Sequence, residues 1–428
     1  MILKFSIKNT FSIKDEQTIN FEATNSSTKD SLHCIEYDGK KILKLACIYG
    51  ANASGKTRLL EALNFYMNFM VDSFSDYKPS ELIHFTPFKF NEKTVNEPGE
   101  FNLVFLLYDE EAKKLIKYDY FLQLKETGII YESLYYSPKG QKKLVFEKYE
   151  NSSVKWGTSI YGKKKLIEDV IKERTNCTVL SAGAQSGIPL LKCIYDYSKN
   201  RCPFVLSSRG NSLSSYVADQ LEENKDFKNK VIDMLKNSDL GNISDIKVQT
   251  TEIPDEIIKQ FPQDIQQEIL KSGEKPKSRK INMVHHYDKD YDIPIALESE
   301  GTKKMIELTV PITDITESDS LWLIDELDVS LHQDLLNVFL WLFLENSKYS
   351  QLLFTTHNLD LLDEKDLLRN DEIWFCNKDN NGCSNYKNLL NYSGVRKDIS
   401  RKTIYLDNKF GAIPNINDKE LDKTFDIK

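Results

Sequence analysis

The sequence predicts an α/β fold: a parallel core sheet flanked by helices, joined to an antiparallel β subdomain and interrupted by a mostly helical insertion. Three observations carry that reading. A strand, a glycine-bearing turn and a helix follow one another from Leu43 to Met70; apolar and polar residues alternate in runs over about 86–150; and strand and helix patterns alternate after residue 280, as parallel sheets require.

The elements follow in order. Residues 1–8 alternate like a half-buried strand, with Gln17–Phe21 as hairpin partner. Leu43–Tyr49 reads as a buried strand, and from Thr57 the apolar residues Leu59, Leu60, Leu63, Met67 and Met70 recur at helical spacing. Phe101–Tyr108, Lys117–Leu124 and Ile129–Tyr136 form an antiparallel sheet, broken at Asp109-Glu-Glu and Pro138-Lys-Gly. Lys164–Arg174, Ser214–Leu235 and Asp255–Lys271 are helical and end in the polar, basic stretch Lys271–Lys280, of which Lys275–Lys280 reads as a flexible linker in preference to a patch for phosphate backbone. Then come strand Ile281–His286, helix Thr302–Thr309, strand Leu321–Ile324, helix Asp334–Phe343 and strand Leu352–Thr356. This predicts a discontinuous head, 1–160 and 281–428, around an insertion at 161–280.

Composition narrows the function classes. The 428 residues are 40% hydrophobic and 29% charged, with 22 Phe and 21 Tyr, so the chain folds and is neither a disordered tail nor a disulfide mini-scaffold. The net charge of −8 gives no global positive field to gather nucleic acid; any such contact is a local patch. Seven cysteines without a C-x-x-C pair suit reduced thiols better than disulfides or structural zinc. The longest apolar run, Val338–Leu344, is far short of a membrane span, and the expectation is a soluble, cytoplasmic protein.

Two motifs carry chemistry from the residues alone. Gly50-Ala-Asn-Ala-Ser-Gly-Lys-Thr57 matches G-x-x-x-x-G-K-[ST] between a predicted strand and a predicted helix. Its backbone N–H groups, from Gly50, Asn52, Ala53, Ser54 and Gly55 onward, suit phosphates; Lys56 suits the β and γ phosphates of ATP and the Thr57 hydroxyl suits Mg²⁺. Leu321-Trp-Leu-Ile-Asp325-Glu326 is a buried strand ending in two carboxylates, Asp325 for the Mg²⁺ shell and Glu326 to orient and deprotonate water. One strand further on, Leu352-Leu-Phe-Thr-Thr-His357 ends in a histidine placed to sense the γ phosphate.

Together these residues resemble the ABC-type ATPase heads of SMC, RecF and OLD-like proteins, and within that group the ATP-binding proteins of prokaryotic abortive-infection and phage-defence systems, of the AbiL-like and PARIS-like kind. The resemblance rests also on Phe5–Asn9 through Thr18, Glu298-Ser-Glu-Gly-Thr-Lys-Lys304, Asp325–His332 and the tail Tyr405–Pro414. It implies an ABC-type P-loop head in which Ser299-Glu-Gly301 is the signature motif, capping the γ phosphate bound to the opposite subunit. Asp328-Val-Ser330-Leu-His332 is then the D-loop, with Asp328 at the nucleotide. Glu300 stands where the wider group has glycine, and Gln333 where many relatives have proline.

The resemblance further implies an ATPase that closes as a homodimer around two ATP, the sensor or scaffold of an antiphage, toxin–antitoxin-like system. Only about 70 residues follow His357, too few for the Toprim nuclease domain of OLD-family proteins, so a separate effector such as a Toprim-like nuclease is the expected partner. A RecF- or SMC-like DNA-binding repair ATPase is the alternative, which would bring nucleic acid in as a ligand. A small-molecule P-loop kinase would leave the signature and His357 without a use. Of the weaker signals, Gln185 is a Q-loop candidate, Lys163–Lys165 starts a solvated helix, and His285-His286 are structural, since neighbours on a strand point to opposite faces.

Overall fold

The computed structural model describes residues 1–24, 30–109, 113–201, 205–207, 212–273, 275–394 and 399–413; Glu110, Glu111, Cys202, Glu274 and Pro414, which enter readings above, lie outside them. Packing divides the chain into two compact units, one of Met1–Ser207, Ser318–Leu327 and Phe343–Lys428 and one of Ser208–Glu317 and Asp328–Leu342.

The first unit holds both large sheets. A six-stranded core sheet runs in the order Val205–Ser207, Leu321–Asp325, Gln351–Thr355, Leu45–Gly50, Ile373–Lys378, Ser384–Asn388. All its neighbours are parallel except the last pair. Leu45–Gly50, Leu321–Asp325 and Gln351–Thr355 are buried at every position, which is why they read as continuous apolar runs. A seven-stranded antiparallel sheet holds Ile2–Lys8 paired to both Gln17–Asn20 and Gly99–Asp109, then Lys114–Lys125, Gly128–Ser137, Lys143–Tyr149 and Lys155–Trp156. Alternating burial along Gly99–Asp109 and Lys114–Lys125 shows one face packed and one wet.

The helix Lys56–Asp76 ties the sheets together, burying Leu59, Leu60, Leu63, Tyr66, Met67 and Met70. Tyr66 stacks on Phe101, 5.4 Å between ring centres, and donates its hydroxyl to the Tyr120 carbonyl at 2.7 Å. Residues 161–201, read as the start of the insertion, pack here as helices Lys164–Glu173, Val179–Gln185 and Pro189–Asn200, with Ile167, Leu180 and Leu191 in the same core.

One buried charge in this core sets a pH dependence. Glu132, fully buried, accepts the first-turn N–H groups of Val179 at 2.8 Å and Leu180 at 3.3 Å and the Tyr120 hydroxyl at 2.9 Å. Burial pushes its carboxyl up from 4.5 to about 7, against the pull of those three donors. A raised carboxyl favours the folded state at low pH, and that contribution is lost as pH rises from about 4.5 to about 7. We expect stability to fall on the order of 3 kcal/mol across that window. Urea melts from pH 4.5 to 8 should show the slope, and Glu132→Gln should flatten it; an unchanged slope assigns it elsewhere.

The second unit is built around the strands Ile243–Glu252, Lys277–His286 and Asp290–Pro294, all antiparallel. Helices Ser212–Glu223, Lys225–Lys236 and Glu300–Glu317 belong to it, burying Val231, Leu235, Met305 and Leu308. Four sequence readings are corrected here. Ile281–His286 joins this antiparallel sheet and not the parallel one. The helix expected over Ser214–Leu235 is two, because Asn224 caps the second by accepting the Phe227 N–H at 3.0 Å. That expected over Asp255–Lys271 is two short ones, because Pro262 separates Asp255–Ile258 from Gln263–Ser272. The basic stretch is strand from Lys277 onward, with Arg279 paired to Asp219 and Glu222 and Lys275 to Asp255, so it is neither linker nor an open cationic patch. Cys34, Cys47, Cys177, Cys193, Cys376 and Cys383 are free thiols. Among the described residues no helix is long and apolar enough to cross a membrane.

Candidate functional site

The phosphate loop connects the buried strand Leu45–Gly50 to the helix Lys56–Asp76. Its path needs its glycines. Gly55 has φ +115°, and a Cβ there would collide with Ser384 Oγ and come within 3.0 Å of Ser12 Oγ; a Cβ on Gly50 would collide with the Cys376 carbonyl. Ala53 also takes a left-handed conformation, φ 61°, while Asn52 and Ala53 are exposed at the turn. The loop is held from behind: Ser384 Oγ donates to the Ser54 carbonyl at 2.6 Å, Cys376 Sγ to the same oxygen at 3.3 Å, and the Tyr386 hydroxyl to the Gly55 carbonyl at 2.7 Å. Burial pushes the Cys376 thiol up to about 11, so it stays a neutral donor.

Lys56 is buried and donates to the carbonyls of Gly50 at 2.8 Å and Ala51 at 3.0 Å, which folds its ammonium over the loop. Ser54 Oγ is buried with no hydrogen-bond partner among the described residues. A buried hydroxyl left unpaired within this glycine-bearing loop fits an anionic oxygen as its partner.

Across the strand ends a chain of hydrogen bonds joins the acids to the loop. Thr57 Oγ1 donates to Asp325 Oδ2 at 2.8 Å, Thr355 Oγ1 donates to Asp325 Oδ1 at 2.6 Å, and the Glu326 N–H donates to Thr355 Oγ1 at 2.8 Å. Thr57 and Asp325, read as ligands of one Mg²⁺, are thus in contact, and a hydroxyl and a carboxylate are the hard oxygen donors that this ion takes. Glu326 stands in the left-handed region at φ 53°, a strained conformation for a residue with a Cβ. His357 follows the strand Gln351–Thr355 and is exposed.

Thr355 was not singled out in the sequence, although the two threonines ending an apolar strand were a visible signal. Thr355→Val strips one hydrogen bond each from Asp325 and the Glu326 N–H, at about 1–3 kcal/mol. We expect a lower unfolding midpoint and about a tenfold slower Mg²⁺-dependent ATP turnover, checked by calorimetry and phosphate release; wild-type turnover would deny Thr355 this role. Ser384 and Tyr386 carry no sequence signal, because they meet the loop only through the fold.

Of the remaining predicted residues, Ser299, Gly301 and Asp328 lie in the second unit and Gln185 in the first. Ser299 caps the helix Glu300–Glu317: its Oγ accepts the Thr302 N–H at 3.1 Å and bonds the Thr302 hydroxyl at 2.8 Å. A Cβ on Gly301 would come within 3.0 Å of the Ser330 carbonyl, and Ser330 is left-handed at φ 65°. Asp328 belongs to the same unit. Gln185 ends the helix Val179–Gln185, exposed, donating to the Tyr195 hydroxyl at 3.4 Å. Each histidine of the adjacent pair has its own carboxylate, His285 with Glu298 at 2.6 Å and His286 with Asp290 at 2.7 Å. Among the described residues no group of three or more His, Cys, Asp and Glu could hold a metal ion.

Among solved structures, the SMC head domain from Thermotoga maritima is similar at 14% identity and a TM-score of 0.39, over 90% of this chain and 98% of that one. An SMC head bound to the C-winged helix domain of ScpA matches at 14% and 0.42, over 91% and 98%. An Smc head with an extended coiled coil bound to the C-terminal domain of ScpA, from Pyrococcus furiosus, matches at 12% and 0.40, over 96% and 99%. No curated protein matches. The family model described as "AAA domain, putative AbiEii toxin, Type IV TA system" matches residues 45–159 and 207–363, which is more than half of the chain and takes in the phosphate loop, both acids and His357; the chain belongs to that family.

Proposed function

We propose that this AAA-family protein binds ATP with Mg²⁺ at Gly50–Thr57, hydrolyses it, and uses the cycle as a switch in which two copies close around two nucleotides. The observation that supports this most is the hydrogen-bonded chain Thr57–Asp325–Thr355–Glu326, in which the residues read as metal ligands, Thr57 and Asp325, are in contact and the residue read as base, Glu326, follows Asp325 at the same strand end.

Each residue then has a task. Lys56 leaves its two carbonyls to neutralise the β and γ phosphates, and the loop N–H groups with Ser54 Oγ hold the remaining oxygens. Thr57 and Asp325 would hold Mg²⁺, which would supply neutralisation of phosphate charge. Glu326 orients the attacking water and takes its proton, and His357 contacts the γ phosphate. Ser299, Gly301 and Asp328 of a second copy complete the site. ATP shifts an open–closed equilibrium only through contacts stronger in the closed state, and the γ phosphate against Ser299 and His357 provides that difference.

The job we assign to the switch is that of the sensor or scaffold of an antiphage system, holding and releasing a separate toxic effector; the family description, "putative AbiEii toxin, Type IV TA system", supports the toxin–antitoxin setting, and the division between switch and effector is our own assignment. The test is to purify tagged Glu326→Gln from its native host with ATP and Mg²⁺ and weigh what accompanies it. A stoichiometric effector protein is expected. Nuclease-sensitive DNA without a protein partner would overturn the effector role in favour of a repair clamp.

A further inference from the structure

His285 sits on the strand Lys277–His286, and its ring Nε2 meets Glu298 Oε1 at 2.6 Å, with the two side chains 15% and 8% exposed. Glu298 is the residue immediately before Ser299, between the short 3₁₀ turn Ile295–Leu297 and the helix Glu300–Glu317. At that junction the Glu298 N–H reaches the Ile295 carbonyl at 3.1 Å, Lys303 Nζ the Ala296 carbonyl at 3.2 Å and the Lys303 N–H the Ser299 carbonyl at 3.1 Å, while Leu297, Ser299 and Glu300 are exposed. The histidine is itself well seated. Gly241 packs against its ring, a Cβ there coming within 3.6 Å of the imidazole carbon, and the His286 N–H donates to the Asn242 carbonyl at 2.8 Å. A rigid sheet thus grips the segment leading into the signature serine through one nearly buried, charge-assisted hydrogen bond.

We propose that His285 is a positioning residue for the signature motif: through Glu298 it holds the Ser299–Gly301 turn in the arrangement that receives the γ phosphate of a second copy. The proposal rests on the closed-dimer reading above. Ser299 Oγ already serves as the helix cap, so the hydroxyl and the N–H groups of the first turn share one fixed frame. Glu298 fixes where that frame begins. His285 is neither part of the loop Gly50–Thr57 nor one of its acids, so its loss slackens capture of a neighbour's nucleotide while each chain's own ATP binding stays intact.

The experiment compares His285→Ala, His285→Gln and Glu298→Ala in a Glu326→Gln background, with Ser299→Arg as control, measuring ATP affinity, the ATP-dependent monomer–dimer equilibrium by sedimentation, and amide exchange at residues 298–303. One nearly buried charge-assisted bond corresponds to about 10- to 100-fold. We expect His285→Ala to weaken dimerisation by that factor with ATP affinity unchanged and exchange at 298–303 raised. His285→Gln, which keeps a donor, should restore most of the loss. His285→Ala and Glu298→Ala together should cost no more than either alone.

Normal dimerisation and exchange in His285→Ala, an equal defect in His285→Gln, additive losses, or a parallel fall in ATP affinity would each overturn the proposal. Should Glu326→Gln fail to dimerise with ATP, or Ser299→Arg dimerise normally, the closed-dimer reading fails instead. The exchange measurement still decides whether His285 holds the turn, and Glu298→Ala serves should His285→Ala not fold.

Discussion

Glu326→Gln keeps ATP binding and loses turnover by about 10²–10⁴-fold, the range that a positioned general base supplies. The change removes only the proton-accepting oxygen. The left-handed backbone at φ 53° and the N–H to Thr355 Oγ1 at 2.8 Å belong to the main chain and stay as they are. With hydrolysis blocked and the loop intact, closed dimers accumulate on adding ATP and Mg²⁺. Phosphate release under saturating ATP measures the first effect and sedimentation the second. Turnover near that of the unaltered protein would remove Glu326 from the role of base.

Lys56→Ala loses ATP affinity by about 10²-fold or more, since hydrogen bonds from a charged group to phosphate contribute about 1.5–3 kcal/mol each and the proposed role gives the ammonium two phosphates. The side chain is buried over the loop and donates to two loop carbonyls, so the substitution also loosens Gly50 and Ala51. The fold survives, because the helix Lys56–Asp76 is anchored by Leu59, Leu60, Leu63 and Tyr66 and not by its first residue. Titration with a fluorescent ATP analogue, alongside circular dichroism, checks both halves. Unchanged nucleotide affinity with the fold intact would argue that Gly50–Thr57 is no phosphate site.

The parts of the site that could be read in advance are those whose chemistry is local in the chain. The loop Gly50–Thr57 places its glycines, lysine and threonine within one turn, and Asp325-Glu326 ends an apolar strand, so residue order alone states the task. The strand ends meet as that order suggests, with Asp325 against Thr57 at 2.8 Å. Secondary structure was legible where one period dominated, as in Phe101–Tyr108 or the helix after Thr57. It was misread where breaks were overrun: Asn224 and Pro262 each stop a helix that the apolar spacing alone would continue. Ile243–Glu252, with its β-branched residues, was passed over as part of a helical stretch.

Sheet membership was beyond the sequence for a different reason. Alternation in Ile281–His286 tells that a strand exists and which residues share a face, but hydrogen bonds to a partner strand are made by backbone, which is the same in every residue. Only the folded chain shows that it pairs with Ile243–Glu252 and Asp290–Pro294 instead of entering the parallel sheet. The same holds for side chains that act at a distance. Ser384 and Tyr386 reach the carbonyls of Ser54 and Gly55 across more than three hundred residues, and His285 reaches Glu298 only because its sheet brings them together.

The sequence by itself determined the glycine-bearing loop Gly50–Thr57, the two acids after an apolar strand, the helix that carries Lys56 and the α/β class, since each follows from neighbouring residues and their spacing. Tertiary structure alone decided which strands pair, that Thr355 joins Asp325 to Glu326, and that the phosphate loop is clamped from behind by Cys376, Ser384 and Tyr386. Those contacts depend on where distant backbone comes to rest, and that is set by burying the whole core at once and not by any local run of residues.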